Sequence, residues 1–172
     1  MDIKRINVKY IYRDVKPENI LINLDEPTKP TIQFKDLCLA NHFKANSAEY
    51  LGTPICFPPE VITTKKYSAK HDVWSAGIVV HLLLFGSLPF KEESNRHLFK
   101  LIEKDDIQMD IRLANKIKNE AIDFLKFVLE KNPDDRPSAS QVLEHPWLQE
   151  DPEDAEQDPT GLNPKIEQRN NN

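Results

Sequence analysis

Apolar residues run almost without interruption through residues 73–85, the longest such stretch in the chain. A segment that is apolar on nearly all sides predicts a buried helix, which we interpret as the central helix of the fold. Asp72 stands before the stretch and would serve as its N-cap, and Gly86 with Pro89 would end it. We interpret His81, isolated on this apolar helix, as a core histidine with satisfied hydrogen bonds rather than a metal ligand.

Apolar side chains recur at spacings of three and four residues in residues 94–104 and 120–131, which predicts two amphipathic helices. Ser138 followed by Gln141 has the spacing of a capping box and predicts a short final helix. We expect Trp147, close to the end of the apolar pattern, to anchor in the core.

Short β-prone runs occupy residues 20–24 and 31–34, and a turn with two prolines separates them. This pattern predicts a small hairpin. Asn19 would enter its first strand and Asp36 would leave its second, so one small sheet would carry both side chains. The patterns together predict a mainly α protein, with a helical bundle around one buried helix and a two-stranded β element.

The 172 residues are enough for about one domain, with a formal net charge of −5. Residues 149–172 hold seven acidic and two basic side chains, which leaves 21 of each sign in residues 1–148. We therefore expect a neutral domain over 1–148 and an acidic tail over 149–172. The tail's composition predicts disorder, and a solvated tail is a simpler interpretation than a regulatory one.

Several function classes are disfavoured by the composition. Basic residues form no stripe that would suggest nucleic acid, and the longest apolar run is too short for a membrane span. Cys38 and Cys56 make neither a disulfide framework nor a metal pattern. No secretory signal follows Met1. We therefore expect an intracellular, cytoplasmic protein, with the nucleus left open.

The stretch 12–19, Y-R-D-V-K-P-E-N, gathers three functional groups within eight residues. Phosphoryl transfer needs a carboxylate that orients and deprotonates a hydroxyl, a cation, and oxygen ligands for Mg²⁺. Asp14, Lys16 and Asn19 can supply one each. Pro17 fixes its own φ and keeps Lys16 out of a helix, which favours a stiff loop. A charged turn before a strand is the alternative, and the later motifs decide against it.

This stretch resembles the catalytic loop of the protein kinases, H-R-D-x-x-x-x-N, with the lysine that is typical of the serine/threonine branch. Asp36, 17 positions after Asn19, stands where the family has the aspartate of D-F-G. Residues 39–60 resemble the family's activation segment, and their end, residues 52–60, resembles the stretch from G-T-P to A-P-E, here P-P-E. The resemblance covers residues 12–148 and implies the C-terminal lobe of a kinase. Within it, residues 67–90 look most like the calcium/calmodulin-dependent group.

The resemblance implies a role for each matched residue and implies ATP and Mg²⁺ as cofactors. Asp14 would be the catalytic base, and Lys16 would stabilise the charge of the transferred γ-phosphoryl group. Asn19 and Asp36 would be the Mg²⁺ ligands. Thr53 would bridge Asp14 and Lys16.

The resemblance also implies structural and regulatory roles. Arg13 would receive a phosphate placed on the activation segment, where Ser47 is a candidate acceptor and an ordinary polar loop residue is the alternative. Glu60 and Arg136 would form a buried bidentate pair that pins the segment, with a surface pair as the weaker alternative. Asp72 would grip the backbone of the catalytic loop.

Three positions depart from the family pattern. Tyr12 replaces a histidine and would lack the hydrogen bonds of the imidazole. Leu37 replaces a phenylalanine and is expected to pack as a smaller apolar plug. Cys38 replaces a glycine, so it should reduce the range of backbone conformations that this segment can adopt.

The chain has no glycine before Gly52, so it has no counterpart of the family's glycine-rich loop. We also find no counterpart of the family's strand lysine or of the helix glutamate that orients that lysine. We expect the N-terminal β lobe to be absent from this chain, and the chain alone to bind ATP weakly. Two functions stay open. One is a serine/threonine kinase lobe that acts on protein substrates, with the remainder supplied elsewhere. The other is an inactive, pseudokinase-like lobe that docks a protein through residues 94–104.

Overall fold

The structure is a computed structural model that describes residues 10–25, 31–42 and 50–149. Within these ranges it has six α-helices: α1 (Pro59–Thr64), α2 (Ala69–Phe85), α3 (Asn95–Lys104), α4 (Ile111–Ala114), α5 (Asn119–Val128) and α6 (Ala139–Val142). The strands are β1 (Tyr10–Ile11), β2 (Ile20–Asn23), β3 (Thr31–Phe34) and β4 (Asn41–His42). About half of the structure is helical. No helix of the described ranges is long and apolar enough to cross a membrane.

Helix α2 is the centre of the core, as the apolar run predicts, but it begins four residues earlier. Its N-cap is Ser68, whose side chain accepts a hydrogen bond from the amide of Lys70 at 3.3 Å. The predicted N-cap role of Asp72 is therefore wrong, because Asp72 lies inside the first turn. The helix ends at Gly86 as predicted, where φ is 65° and a side chain would be unfavourable.

Helices α2 and α5 pack closely across Gly77. A Cβ at this position would lie 2.8 Å from side-chain atoms of Leu129 and Val128, so a larger residue would push the two helices apart. The helix is not buried on every side as predicted, because Leu83 near its end is 76% exposed. The apolar run marks the core helix correctly but does not show which face leaves the bundle.

Both amphipathic helices form close to their predicted bounds. Helix α3 starts after Ser94, which caps it, and buries Leu98 and Ile102. Helix α5 is shorter than residues 120–131, because its C-cap is already Leu129. The Ser138 capping box is present at the start of α6.

The C-terminal end of the described chain packs on α5. The ring of Trp147, which is half-buried, lies 4.7 Å from the ring of Phe124. This contact agrees with the expected anchoring of Trp147 in the core. The acidic tail, from residue 150 onward, lies outside the described residues.

Two small antiparallel sheets carry the loops of the N-terminal part. Strands β2 and β3 pair with Ile20 opposite Phe34, as the hairpin prediction requires. Strands β1 and β4 form a second pair, with Ile11 opposite Asn41, that was not predicted. Ile11 is fully buried, so the β1–β4 pair fixes the start of the loop at residues 12–19 to the helical core.

His71 is fully buried in the first turn of α2 with no hydrogen-bond partner for either ring nitrogen among the described residues. Its ring stacks on Tyr67, with centroids 5.2 Å apart. Burial, together with the nearby cations Arg136 and Arg13, lowers the pKa of His71 to about 3. The imidazole is therefore neutral at physiological pH.

We expect His71→Phe to flatten the acid limb of the stability curve. Below the ordinary histidine value of 6.5 the unfolded chain binds a proton at this residue that the folded chain does not bind. Stability therefore falls as pH drops from 6.5 toward 3, by about 1.4 kcal/mol for each pH unit. Urea unfolding between about pH 5 and 7 measures the slope of the unfolding free energy against pH. His71→Phe should lower this slope by the amount that corresponds to about one bound proton. An unchanged slope in His71→Phe would contradict the assignment.

Candidate active site

The loop at residues 12–19 is held to the core helix through its backbone. Both oxygens of the Asp72 carboxylate accept amide hydrogens, from Tyr12 at 2.8 Å and from Arg13 at 2.9 Å. Burial raises the pKa of Asp72, and the two amide bonds act in the opposite direction. The geometry is the one implied by the resemblance, in which this aspartate grips the catalytic loop.

Asp14 is the centre of a hydrogen-bonded cluster. The Thr53 hydroxyl donates to Asp14 Oδ1 at 2.7 Å, and the Lys16 ammonium lies 2.7 Å from Asp14 Oδ2 and donates to Thr53 Oγ1 at 3.0 Å. The Asn19 amide nitrogen donates to Asp14 Oδ2 at 2.8 Å and to the Asp14 carbonyl at 3.0 Å. All four of these predicted site residues therefore lie together.

The cluster holds Asp14 in its ionised form. Burial alone would raise the pKa of Asp14, but the hydrogen bonds from Lys16 and Thr53 outweigh it and the net pKa is lowered. The hydrogen bond to Asp14 in turn raises the pKa of Lys16. A carboxylate of lowered pKa is a weak base, and its oxygens are available as hydrogen-bond acceptors at neutral pH.

Asn19 and Asp36 lie at the same end of the β2–β3 sheet. The Lys35 amide donates to the Asn19 carbonyl at 3.0 Å, so the ladder continues by one step with Lys35 opposite Asn19. Asp36 follows Lys35 directly in the chain. The Tyr12 hydroxyl donates to the Lys35 carbonyl, so the phenol that replaces the family histidine does make a hydrogen bond at this junction.

The available oxygens fit a magnesium site. Both bonds of the Asn19 side chain use its nitrogen, which leaves the amide oxygen as a ligand, and Asp36 is an exposed carboxylate. Mg²⁺ is usually bound by one or two protein carboxylates together with water and phosphate oxygens. No group of three or more His, Cys, Asp or Glu side chains in the described ranges could hold a metal by itself.

The segment after Asp36 differs from the expectation. Leu37 is 60% exposed and therefore does not pack as an apolar plug. The left-handed backbone conformation falls on Asp36, with φ 59°, and not on Cys38. Asp36 caps the following turn by accepting a hydrogen bond from the Cys38 amide at 3.4 Å.

Arg13 is buried beneath the activation segment. Its guanidinium lies over the ring of Tyr67, 5.0 Å from the centroid, and its Nε and Nη2 have no hydrogen-bond partner within the described ranges. Unpaired buried donors of this kind suit an anion. Ser47, the predicted phosphate acceptor, lies outside the described residues.

Gly52 and Tyr67 bring the activation segment onto the catalytic loop. Gly52 has φ 107°, and a Cβ there would lie 2.4 Å from the Arg13 carbonyl oxygen, so only glycine fits. The Tyr67 hydroxyl accepts from the Leu51 amide at 2.7 Å. Tyr67 was not predicted as part of the site; nothing local in the sequence links it to Leu51, 16 residues away.

Glu60 and Arg136 form the predicted bidentate pair. The two guanidinium nitrogens of Arg136 donate to the two Glu60 oxygens at 2.7 and 2.9 Å. Arg136 also donates to the backbone carbonyl of Glu130 at 2.7 Å, and its side chain is fully buried. A buried cation with this number of acceptors is fully satisfied, so the pair fixes the end of the activation segment to the loop before α6.

Comparison with known proteins agrees with this geometry. A family model described as "Protein kinase domain" matches residues 7–148. The chain is 33% identical over 141 residues to the serine/threonine-protein kinase DCLK3 of Mus musculus and 36% identical over 140 residues to the calcium/calmodulin-dependent protein kinase type 1 of Caenorhabditis briggsae. It is 33% identical over 143 residues to the calcium-dependent protein kinase 25 of Arabidopsis thaliana.

The chain belongs to the protein kinase family. Within that family, the relatives that it matches are serine/threonine kinases, and they include calcium-dependent and calcium/calmodulin-dependent members. The matches cover 81%, 80% and 82% of this chain but only 18%, 39% and 27% of the mouse, nematode and plant proteins. The chain thus spans less than half the length of these three relatives.

We expect Arg136→Ala to lower the free energy of unfolding by about 3–5 kcal/mol, because it leaves the Glu60 carboxylate without its buried partner. Urea unfolding measures the change. Arg112→Ala is the matched control, because Arg112 is 91% exposed and bridges Asp110 at 3.3 Å, and it should have little effect. Equal losses in the two variants would show that the Glu60–Arg136 pair does not hold the fold.

Proposed function

We propose that the chain supplies the catalytic loop and activation segment of a serine/threonine protein kinase of the calcium/calmodulin-dependent type. The reaction is transfer of the γ-phosphoryl group of ATP to a serine or threonine hydroxyl of a protein substrate. The family membership supports the class of reaction, and the intact residues Asp14, Lys16, Asn19, Asp36 and Thr53 support its assignment to this site.

In this proposal each residue has one task. Asp14 accepts a hydrogen bond from the substrate hydroxyl, and it takes the proton as the hydroxyl oxygen bonds to phosphorus and ADP leaves. Lys16 offsets the negative charge on the transferred group, and Thr53 holds both side chains in place. Asn19 and Asp36 hold Mg²⁺, which when bound neutralises charge on the phosphates of ATP.

The observation that carries the proposal is the Asp14 cluster. Thr53 comes from a segment 39 residues beyond Asp14, yet its hydroxyl meets the carboxylate at 2.7 Å. Lys16 already gives Asp14 a cationic partner at 2.7 Å. The additional amide of Asn19 and the hydroxyl of Thr53 fix the orientation of both oxygens, as a group that must receive a substrate hydroxyl requires.

A second candidate is an inactive lobe that acts as a protein-binding module. It is favoured by the segment after Asp36, where Leu37 is exposed and Cys38 stands in place of glycine. In this case the Asp14 cluster would be a structural remnant, and the chain would act through a docking surface.

Asp14→Asn tests the catalytic proposal in the protein that carries these 172 residues. Phosphate transfer from radiolabelled ATP to serine peptides should fall by about 100-fold or more, because the amide cannot accept the proton. Asp106→Asn, at an exposed aspartate outside the site, is the control and should leave the rate unchanged. Equal rates for wild type and Asp14→Asn would overturn the proposal.

In the protein that carries these 172 residues, Mg²⁺ with ATP separates the two candidates by binding rather than by turnover. A site built from Asn19 and Asp36 should raise the melting temperature when both are added, and Asp36→Asn should abolish the rise. Asp25→Asn, in the loop after β2, is the control and should keep it. A melting temperature that does not respond in wild type would favour the binding module.

A further inference from the structure

The outer face of α3 carries a row of basic side chains. Arg96, Lys100 and Lys104 follow one another at a spacing of four residues, so they share the side of the helix that faces away from the core. All three are exposed, and in the described part of the chain none of them forms an ion pair. The sequence of the helix contains one acidic residue, Glu103. We call Arg96, Lys100 and Lys104 the α3 basic face.

The end of α1 adds positive charge beside this helix. The ring of Tyr50 lies 5.6 Å from the ring of Phe99 in α3, and the Lys65 ammonium lies 5.0 Å from the centroid of the same Tyr50 ring. Lys66, the next residue, is exposed. An acidic segment on the α3 basic face would therefore find further cations close by.

The chain itself contains a complementary acidic segment directly after the last described residue. Residues 150–158, E-D-P-E-D-A-E-Q-D, hold six acidic residues out of nine and no basic one. Blocks of like charge commonly serve as interaction segments. Residues 1–148 hold 21 side chains of each sign, so their net charge does not attract this segment. A local row of unpaired cations, such as the α3 basic face, does.

The acidic segment is long enough to reach the α3 basic face. Lys131, just after α5, donates a hydrogen bond from its ammonium to the carbonyl of Asp105, the C-cap of α3. The last described turn, residues 146–148, packs on the same helix α5 through Trp147. Helix α5 has 10 residues and is therefore about 15 Å long. Nine extended residues span about 30 Å, which is enough to cover the length of α5 and continue to Lys104.

We propose that residues 150–158 dock on the α3 basic face of the same chain and close it to other acidic segments. The inference goes beyond the proposed kinase function and does not depend on it, because neither surface includes Asp14 or its partners. Single exposed ion pairs are weak, but a segment tethered to the domain has an effective concentration in the millimolar range. Weak contacts therefore suffice to keep the face occupied, and salt should release the segment.

Carbodiimide cross-linking, which joins a carboxylate to an amine when the two are in contact, tests the docking in the protein that carries these 172 residues. Mass spectrometry should find residues 150–158 joined to Lys100 or Lys104, and about 0.5 M sodium chloride should remove these products. Lys126 is the control, because it is 64% exposed and lies on α5, against which the last described turn packs. A segment with no preferred site would join Lys126 at least as often, and that result would overturn the proposal.

A mixture of isotope-labelled and unlabelled protein shows whether the joined segments belong to one chain. Products within one chain are expected. Products that form between chains alone would mean that a second copy occupies the face, which overturns the proposal in its stated form.

A labelled peptide of residues 150–158 gives the matched test from the protein side. A variant with a neutralised segment should bind this peptide about tenfold more tightly than the wild type, because its own segment no longer competes. In that background Lys100→Glu should abolish binding, whereas Lys126→Glu, which changes the net charge by the same amount, should keep it. Equal binding by the wild type and the neutralised variant would contradict the docking, and thermal melting shows whether each variant is folded. The neutralised variant combines Glu150→Gln, Asp151→Asn, Glu153→Gln, Asp154→Asn, Glu156→Gln and Asp158→Asn.

Discussion

The hydrogen bonds between Asp72 and the backbone of residues 12 and 13 are the constraint on which the site depends. They join the core helix α2 to the loop that carries Asp14, and they use backbone amides, so they fix the path of the loop whatever side chains it holds. The Asp72 carboxylate is partly desolvated, and two amide donors compensate for that. Loss of this carboxylate would remove both of these bonds between the loop and α2.

The last part of the activation segment, residues 52–60, is held by two contacts that are distant in sequence. Gly52 allows the backbone to approach Arg13, and Glu60 binds Arg136, 76 residues away. Thr53 lies between these two anchors and contacts Asp14. The position of the Thr53 hydroxyl therefore depends on two separate parts of the helical core, which explains how a short loop can be placed accurately.

The sequence allows the prediction of those features that a local pattern or a family motif encodes. The helix α3, the β2–β3 hairpin and the pairing of Glu60 with Arg136 are of this kind. The β1–β4 pair was not predictable, because strands of two residues carry no periodicity. The start of α2 was placed too late because its first turn is polar, and an apolar pattern begins only at Val73. The exposure of Leu37 depends on what other elements cover, which no local pattern encodes.

The two halves of the site rest on supports of different strength. Asp14 and Thr53 are anchored to the buried core, whereas Asp36 follows a two-stranded sheet whose residues 21–23 and 31–34 are all exposed. A hairpin that buries little of its surface contributes little cooperativity, which favours local opening without unfolding of the helices. The half of the site that carries Asp36 is therefore expected to have a local equilibrium of its own. A partner that packs on Leu21, Ile22 and Ile32 would stabilise the paired hairpin, and with it the position of Asp36.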